Sequence, residues 1–162
     1  MPDHVWRNLF KFTFVRNPYE RVISAWASFG EVLNDNGKSI VPFPQFIETL
    51  SANNFEDLCQ EVTETEQFQL EWQVLPMANH LCNAQGELEL DYIGKQENLN
   101  EDWLYVAGLF GLPKTPMSNV RHNASEHELY KNYYTVNLQN KVYNYYKKDF
   151  ELFDYNPEID FM

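Results

Sequence analysis

A chain of 162 residues can bury one apolar core without disulfide staples, and it reads as a single domain over 1–162. Its 24 acidic residues stand against 12 basic ones, a formal net charge of −12, which argues against an extended surface for nucleic acid or a heavily sulfated glycan. No apolar run approaches the ~20 residues of a membrane span, and "MPDHVWRNLF" lacks the basic flank and apolar stretch of a signal peptide; the expectation is a cytoplasmic protein with no membrane contact.

In chain order, "KFTFV" at 11–15 alternates and is β-prone, which predicts a short strand. Asn17 then falls where a helix N-cap belongs, with Pro18 at the first helical position and Glu20 at the third. Val22, Ile23, Trp26 and Phe29 form the apolar stripe of that helix, and Gly30 is placed to begin its end. "NDNGKSIVPFPQ" at 34–45 predicts a loop, followed by helices at 44–51, 54–61 and 65–78, the last with Phe68, Trp72 and Leu75 on one face. "NAQGELEL" reads as a turn feeding a second strand at 89–93, closed by Gly94. Helix resumes near Asn98 and runs to about Phe110, where "GLPKTP" stops it. A loop containing "SNVRHNAS" leads to a Tyr-rich helical region over 126–152, and no repeat or linker divides the chain.

Cys59 and Cys82 form neither a Cys-x-x-Cys pair nor a metal-ligand spacing; they read as small buried hydrophobes, with a single bridge left open. The four histidines, His4, His80, His122 and His127, have no metal spacing either, so no metal is expected. The strand-to-helix junction is more informative. Arg16 ends the strand, where ligands of α/β proteins collect. At 100° per residue Asn17 and Ser24 are only ~20° out of register, and Arg21 lies ~60° from Ser24 on the same side. Arg16, the first-turn amides and Ser24 could therefore converge on one anion, and this set suits a phosphate monoester. An exposed Arg16 with Arg21 in a surface ion pair satisfies the same residues, so the junction alone leaves both readings open.

"FTFVRNPYERVISAW" resembles the 3′-phosphate-binding segment of the sulfotransferases that use 3′-phosphoadenosine 5′-phosphosulfate (PAPS). "LDYIGKQENLNEDW" (Leu90 to Trp103) is similar to the Asp-x-Ile-Gly-x-x-Glu-Asn-Leu segment of the carbohydrate branch of that family, and "RHNASEHELYKNYYTVNLQNKVYNYYKKDFELFDY" is similar to its C-terminal end. The resemblance implies an α/β, P-loop-like sulfotransferase fold, with a short parallel sheet flanked by many helices. It implies PAPS or its product 3′-phosphoadenosine 5′-phosphate (PAP) as cosubstrate, and a glycan or small hydroxyl compound as acceptor. Arg16 and Ser24 are implied to bind the 3′-phosphate. Arg121 and Asn123 are implied to lie near the nucleotide or acceptor, with an ordinary polar loop as the alternative.

The family opens with a strand, a 5′-phosphosulfate-binding loop and a helix, whereas "MPDHVWRNLF" before the first strand has no Gly and no Lys. The expectation is a helix-dominated domain truncated at its N-terminus, without that loop and with no catalytic residue assigned. The family's general base is a His or Glu upstream of the 3′-phosphate segment, and His4 reads as a terminal residue rather than that base. Sulfuryl transfer is the leading function. Alternatives are a noncatalytic PAP-binding or scaffold remnant, and a half-enzyme whose sheet is completed by a second copy or a strand-complementing partner chain. A kinase-like phosphate module has no Gly-x-x-x-x-Gly-Lys to support it. Asp91 and Glu97 read as structural, Asn123-Ala124-Ser125 matches a glycosylation sequon, and Tyr133, Tyr134, Tyr143 and Tyr146 read as core packing or as an acceptor platform.

Overall fold

Helices dominate the residues that this computed structural model describes, which are 3–32, 42–51, 72–113, 115 and 130–161. In chain order they form α1 (Asp3–Asn8), β1 (Phe12–Val15), α2 (Pro18–Val32), α3 (Phe43–Ser51), α4 (Ala78–Leu81), β2 (Tyr92–Lys95), α5 (Leu99–Leu109), α6 (Val136–Tyr145) and α7 (Lys147–Leu152). Short 3-10 turns occupy Gln96–Asn98 and Tyr130–Tyr133. Among these residues the sheet has two strands, β1 and β2, paired in parallel with Phe12 opposite Tyr92 and Val15 opposite Lys95. The expected class, helix-dominated α/β with a short parallel sheet, is what forms. Among the described residues no helix is long and apolar enough to cross a membrane. The chain divides into two units, Met1–Arg16 with Ala78–His122 and Asn17–Met77 with Asn123–Met162.

In the first unit the second strand begins later than the sequence suggests, at Tyr92 rather than residue 89. Residues 83–87 turn on Asn83, whose Oδ1 accepts from the amides of Gln85 (2.9 Å) and Glu87 (3.0 Å). Leu88 then bridges back to Cys82 in antiparallel sense. Asp91 is held at the strand entrance, its carboxylate accepting from the Lys11 amide at 2.7 Å while its own amide donates to the Lys11 carbonyl at 2.8 Å. Gly94 does not close the strand but lies inside it. A Cβ there would meet the Phe14 ring at 2.6 Å and Asp102 Cβ at 3.0 Å, so only glycine lets that ring lie over the strand.

The carboxylate of Asp102 joins β2 to α5, accepting from the Tyr92 hydroxyl (2.7 Å) and the Lys95 amide (2.6 Å). Burial, and then that acidic neighbour, push the Tyr92 hydroxyl up to about 12. Helix α5 stops where expected. Gly111 takes a left-handed φ of 63°, so that the Leu112 amide donates to the Ala107 carbonyl (2.9 Å) and the Gly111 amide to that of Gly108 (3.3 Å).

The second unit packs α2, α3, α6 and α7 around a core that includes Tyr19, Ile23, Phe46, Leu50, Val142 and Phe150. The start of α2 is as the sequence predicts: Asn17 Oδ1 accepts from the Tyr19 amide at 2.9 Å, and the Asn17 carbonyl from the Arg21 amide at 2.9 Å. The helix continues two residues past Gly30 to Val32. Helix α3 begins at Phe43, with Pro44 in the first turn, where no intrahelical amide bond is lost. The expected helix at 54–61 lies outside the described residues.

Of the expected helix over 65–78, residues 65–71 lie outside the described residues, and the described remainder does not stay helical throughout. Residues 72–74 are helical, the chain bends at Leu75 and Pro76, and α4 starts at Ala78. Pro76 has no amide to donate and disfavours helical geometry at Leu75. The C-terminal helical region likewise resolves into a 3-10 turn, α6 and α7. Thr135 Oγ1 caps α6 by accepting from the Leu138 amide at 3.4 Å.

Gly94→Ala is expected to destabilise the chain by roughly 1–3 kcal/mol through overpacking, and combining it with Phe14→Leu should restore part of that loss. Urea unfolding of both variants checks this; a neutral Gly94→Ala would contradict the packing described.

Candidate functional site

Val15, fully buried, ends β1, and the half-buried Arg16 follows as the last residue of the first unit. Ser24, also half-buried, lies in α2 of the second unit. Arg121 and Asn123 lie outside the described residues. The helix start offers fewer donors than the sequence suggested, because Pro18 has no amide and that of Tyr19 is committed to Asn17.

Arg21, one turn before Ser24, is not a surface ion pair. Its side chain turns inward, with Nη1 donating to the Leu75 carbonyl at 2.8 Å and Nη2 to that of Trp72 at 3.4 Å. The break at Pro76 leaves helical carbonyls at 72–75 in need of donors. Arg21 serves two of them, and the Tyr146 hydroxyl donates to a third, that of Val74. Asp149, 2 % exposed, lies 3.9 Å from Arg21 Nη1 and accepts from the Met77 amide at 2.8 Å. Burial pulls the Arg21 guanidinium below its ordinary value, opposed by Tyr146 and Asp149.

Beside this clamp, each buried phenol has an acceptor. The Tyr19 hydroxyl donates to the Pro157 carbonyl (2.6 Å), which also accepts from Gln139 Nε2 (2.9 Å), and the Tyr134 hydroxyl donates to the Tyr19 carbonyl (3.0 Å). Desolvation is the main cause that holds Tyr19, Tyr134 and Tyr146 above the ordinary tyrosine value. Tyr133 and Tyr143 pack against the same core, so all four tyrosines singled out in the sequence are packing residues.

Asp91 is structural, as expected. Its carboxylate sits below the usual range because it accepts from the Lys11 amide, with Lys11 Nζ 3.6 Å away. Glu97 is exposed in the turn before α5, His4 is exposed on α1, and His80 lies on α4. Cys82 is a half-buried free thiol, and Cys59 lies outside the described residues. Sequence reasoning missed Asp149 and Asp102. For Asp149 a signal existed: it lies seven residues after Val142, three after Tyr146 and four before Phe153, an acid on an apolar helical face, which calls for a buried cation.

A profile of the sulfotransferase family matches residues 1–156. The chain belongs to the sulfotransferase family. It is similar to carbohydrate sulfotransferase 11 of Rattus norvegicus and of Mus musculus, each 29% identical over 177 residues, covering 95% of this chain and 49% of the relative. Carbohydrate sulfotransferase 12 of Xenopus laevis is 27% identical over 186 residues, covering 94% of this chain and 41% of the relative. This sulfotransferase-family chain thus spans about half the length, or less, of the curated relatives it matches. The relatives are of the branch to which "LDYIGKQENLNEDW" and the C-terminal segment pointed. No solved structure gives a significant match.

Removing one partner of the interior pair should be severe in this sulfotransferase-family chain. Arg21→Ala and Asp149→Ala are each expected to cost about 3–5 kcal/mol, and the double variant at least ~1 kcal/mol less than their sum. Additive losses in urea unfolding would contradict the clamp. The phenols set an alkaline limit. Their folded values are raised, so the stability they contribute is present below the unfolded tyrosine value of about 10 and is lost as pH rises through and above it. The urea midpoint should therefore fall above about pH 10, less steeply in Tyr134→Phe than in wild type.

Proposed function

We propose that the chain carries the 3′-phosphate half of a donor site for transfer of a sulfuryl group from PAPS to a hydroxyl of a carbohydrate-like acceptor. The observation that carries this reading is the division of labour within "VRNPYERVIS". Arg21 is committed to protein carbonyls and Asp149, which favours Arg16 and Ser24 as the anion-binding side chains of the motif. Arg16 at the C-terminal end of a parallel strand is a position at which α/β proteins gather ligands.

The residue chemistry fits a phosphate monoester. A guanidinium stays charged throughout the working pH range and presents paired donors to two phosphate oxygens, and a serine hydroxyl adds a third. Arg121 and Asn123 complete the proposed donor-binding set. In the transfer, an acceptor oxygen bonds to sulfur as the bond between sulfur and the 5′-phosphate oxygen breaks, and the acceptor proton passes to a base. Arg16 and Ser24 hold the end of the nucleotide remote from that exchange. They are therefore expected to act mainly on donor affinity, supplying binding energy at a distance from the reacting atoms. The similarity to carbohydrate sulfotransferases 11 and 12 supports a sugar hydroxyl as acceptor.

Calorimetric titration with PAP, using 5′-AMP as control, tests this. Wild type should prefer PAP. Arg16→Ala should lose about 30-fold or more in PAP affinity and Ser24→Ala about tenfold, as charge-assisted hydrogen bonds require, with little change toward 5′-AMP. Equal affinity of the wild type for the two nucleotides, or unchanged PAP binding by Arg16→Ala, would overturn the assignment.

A further inference from the structure

Tyr19 is fixed at each of its polar groups by a different part of the second unit. Its amide donates to Asn17 Oδ1 at 2.9 Å, its carbonyl accepts from the Tyr134 hydroxyl at 3.0 Å, and its hydroxyl donates to the Pro157 carbonyl at 2.6 Å. Asn17 and Pro18 already suffice to start a helix, so these further bonds do something besides nucleation: they fix where the first turn of α2 sits and how it is rotated.

The Pro157 anchor is itself built. After α7 the chain reverses at Asp154, whose φ of 52° is left-handed, and the Tyr155 amide donates back to the Phe150 carbonyl at 3.1 Å. Aspartate is among the few non-glycine residues that tolerate this geometry. The reversal returns Tyr155 and Ile159 to the core. There Gln139 Nε2 shares the Pro157 carbonyl with Tyr19, and Ile159, 6 % exposed, is buried in the same cluster as Tyr19. Pro157 and Ile159 lie beyond residue 156, where the family match ends. The strap is thus made by residues outside the matched segment and grips a residue inside the phosphate-binding motif.

We infer that Tyr19 is a positioning residue of the donor site, and that Pro157–Ile159 is the strap through which it sets the affinity of α2 for the nucleotide 3′-phosphate. This rests on the reading that Ser24 of α2 takes that phosphate. Ser24 lies five residues after Tyr19 on one continuous helix, so a shift or rotation of the first turn is carried to its hydroxyl. A hydrogen bond to phosphate weakens steeply with misalignment. A loosened strap therefore costs 3′-phosphate recognition while the core remains folded.

The test is titration of the 162-residue chain with PAP and with 5′-AMP in wild type, Tyr19→Phe and Ile159→Ala, well below each melting temperature, with near-ultraviolet circular dichroism to verify packing. Tyr19→Phe keeps the ring and removes only the hydroxyl. It is expected to lower PAP affinity about three- to tenfold, the worth of one neutral hydrogen bond, and to leave 5′-AMP affinity within about twofold. Ile159→Ala should shift the same ratio in the same direction. A folded Tyr19→Phe that keeps the wild-type preference for PAP overturns the strap alone and leaves the donor-site reading standing. A wild type with no preference for PAP overturns both.

Discussion

The break at Pro76 is the constraint around which the second unit is arranged. A helix interrupted in the interior presents carbonyls that must find donors, and an unpaired buried carbonyl costs about as much as a lost hydrogen bond. Here the donors come from far along the chain. Arg21 reaches from α2 to the carbonyls of Trp72 and Leu75, Tyr146 reaches that of Val74, and Asp149 both faces the guanidinium and accepts from the Met77 amide. A buried arginine pair is weak evidence for stability in itself, because desolvation offsets much of the attraction. Its effect here is one of position: α2, the 72–77 turn and α7 are held by one side-chain pair.

A carboxylate performs a related task in the first unit. Asp102 on α5 collects the Tyr92 hydroxyl and the Lys95 amide, and Asp91 collects the Lys11 amide at the entrance to β2. Among the described residues, a two-stranded parallel sheet of four-residue strands is shorter than the usual independently stable sheet. These side-chain bonds, with the Phe14 ring lying over Gly94, supply the register and closure that so few ladder bonds leave undetermined. An acidic chain of net charge −12 thus uses some of its carboxylates as internal fasteners.

Elements specified by neighbouring residues were legible in advance. The strand at Phe12–Val15, the Asn17-Pro18 helix start and the glycine stop at Gly111 each depend on a few adjacent residues whose chemistry is unambiguous. The shift of β2 was not legible, because it follows from Asp91 meeting Lys11 across 80 residues and from Gly94 serving a ring on another strand. The break after residue 74 was written in Pro76, but the apolar period through Phe68, Trp72 and Leu75 outweighed it. Of the candidate site, the proposal for Arg16 and Ser24 rests on family resemblance. The inward turn of Arg21 was not, since its partners at 72, 75 and 149 are remote in sequence. Asp149 could have been found as an acid on an apolar helical face.

Within one short motif Arg21 thus serves core assembly, while phosphate recognition is the duty proposed for Arg16 and Ser24. That proposal turns on the claim that the chain grips the 3′-phosphate of the nucleotide. Phosphorus NMR of PAP during titration with the wild-type chain separates the 3′- and 5′-phosphate resonances and addresses that claim directly. The account predicts that the 3′ resonance shifts and broadens with saturation, and that it responds more than the 5′ resonance. A response confined to the 5′ resonance, or none at either, would contradict it.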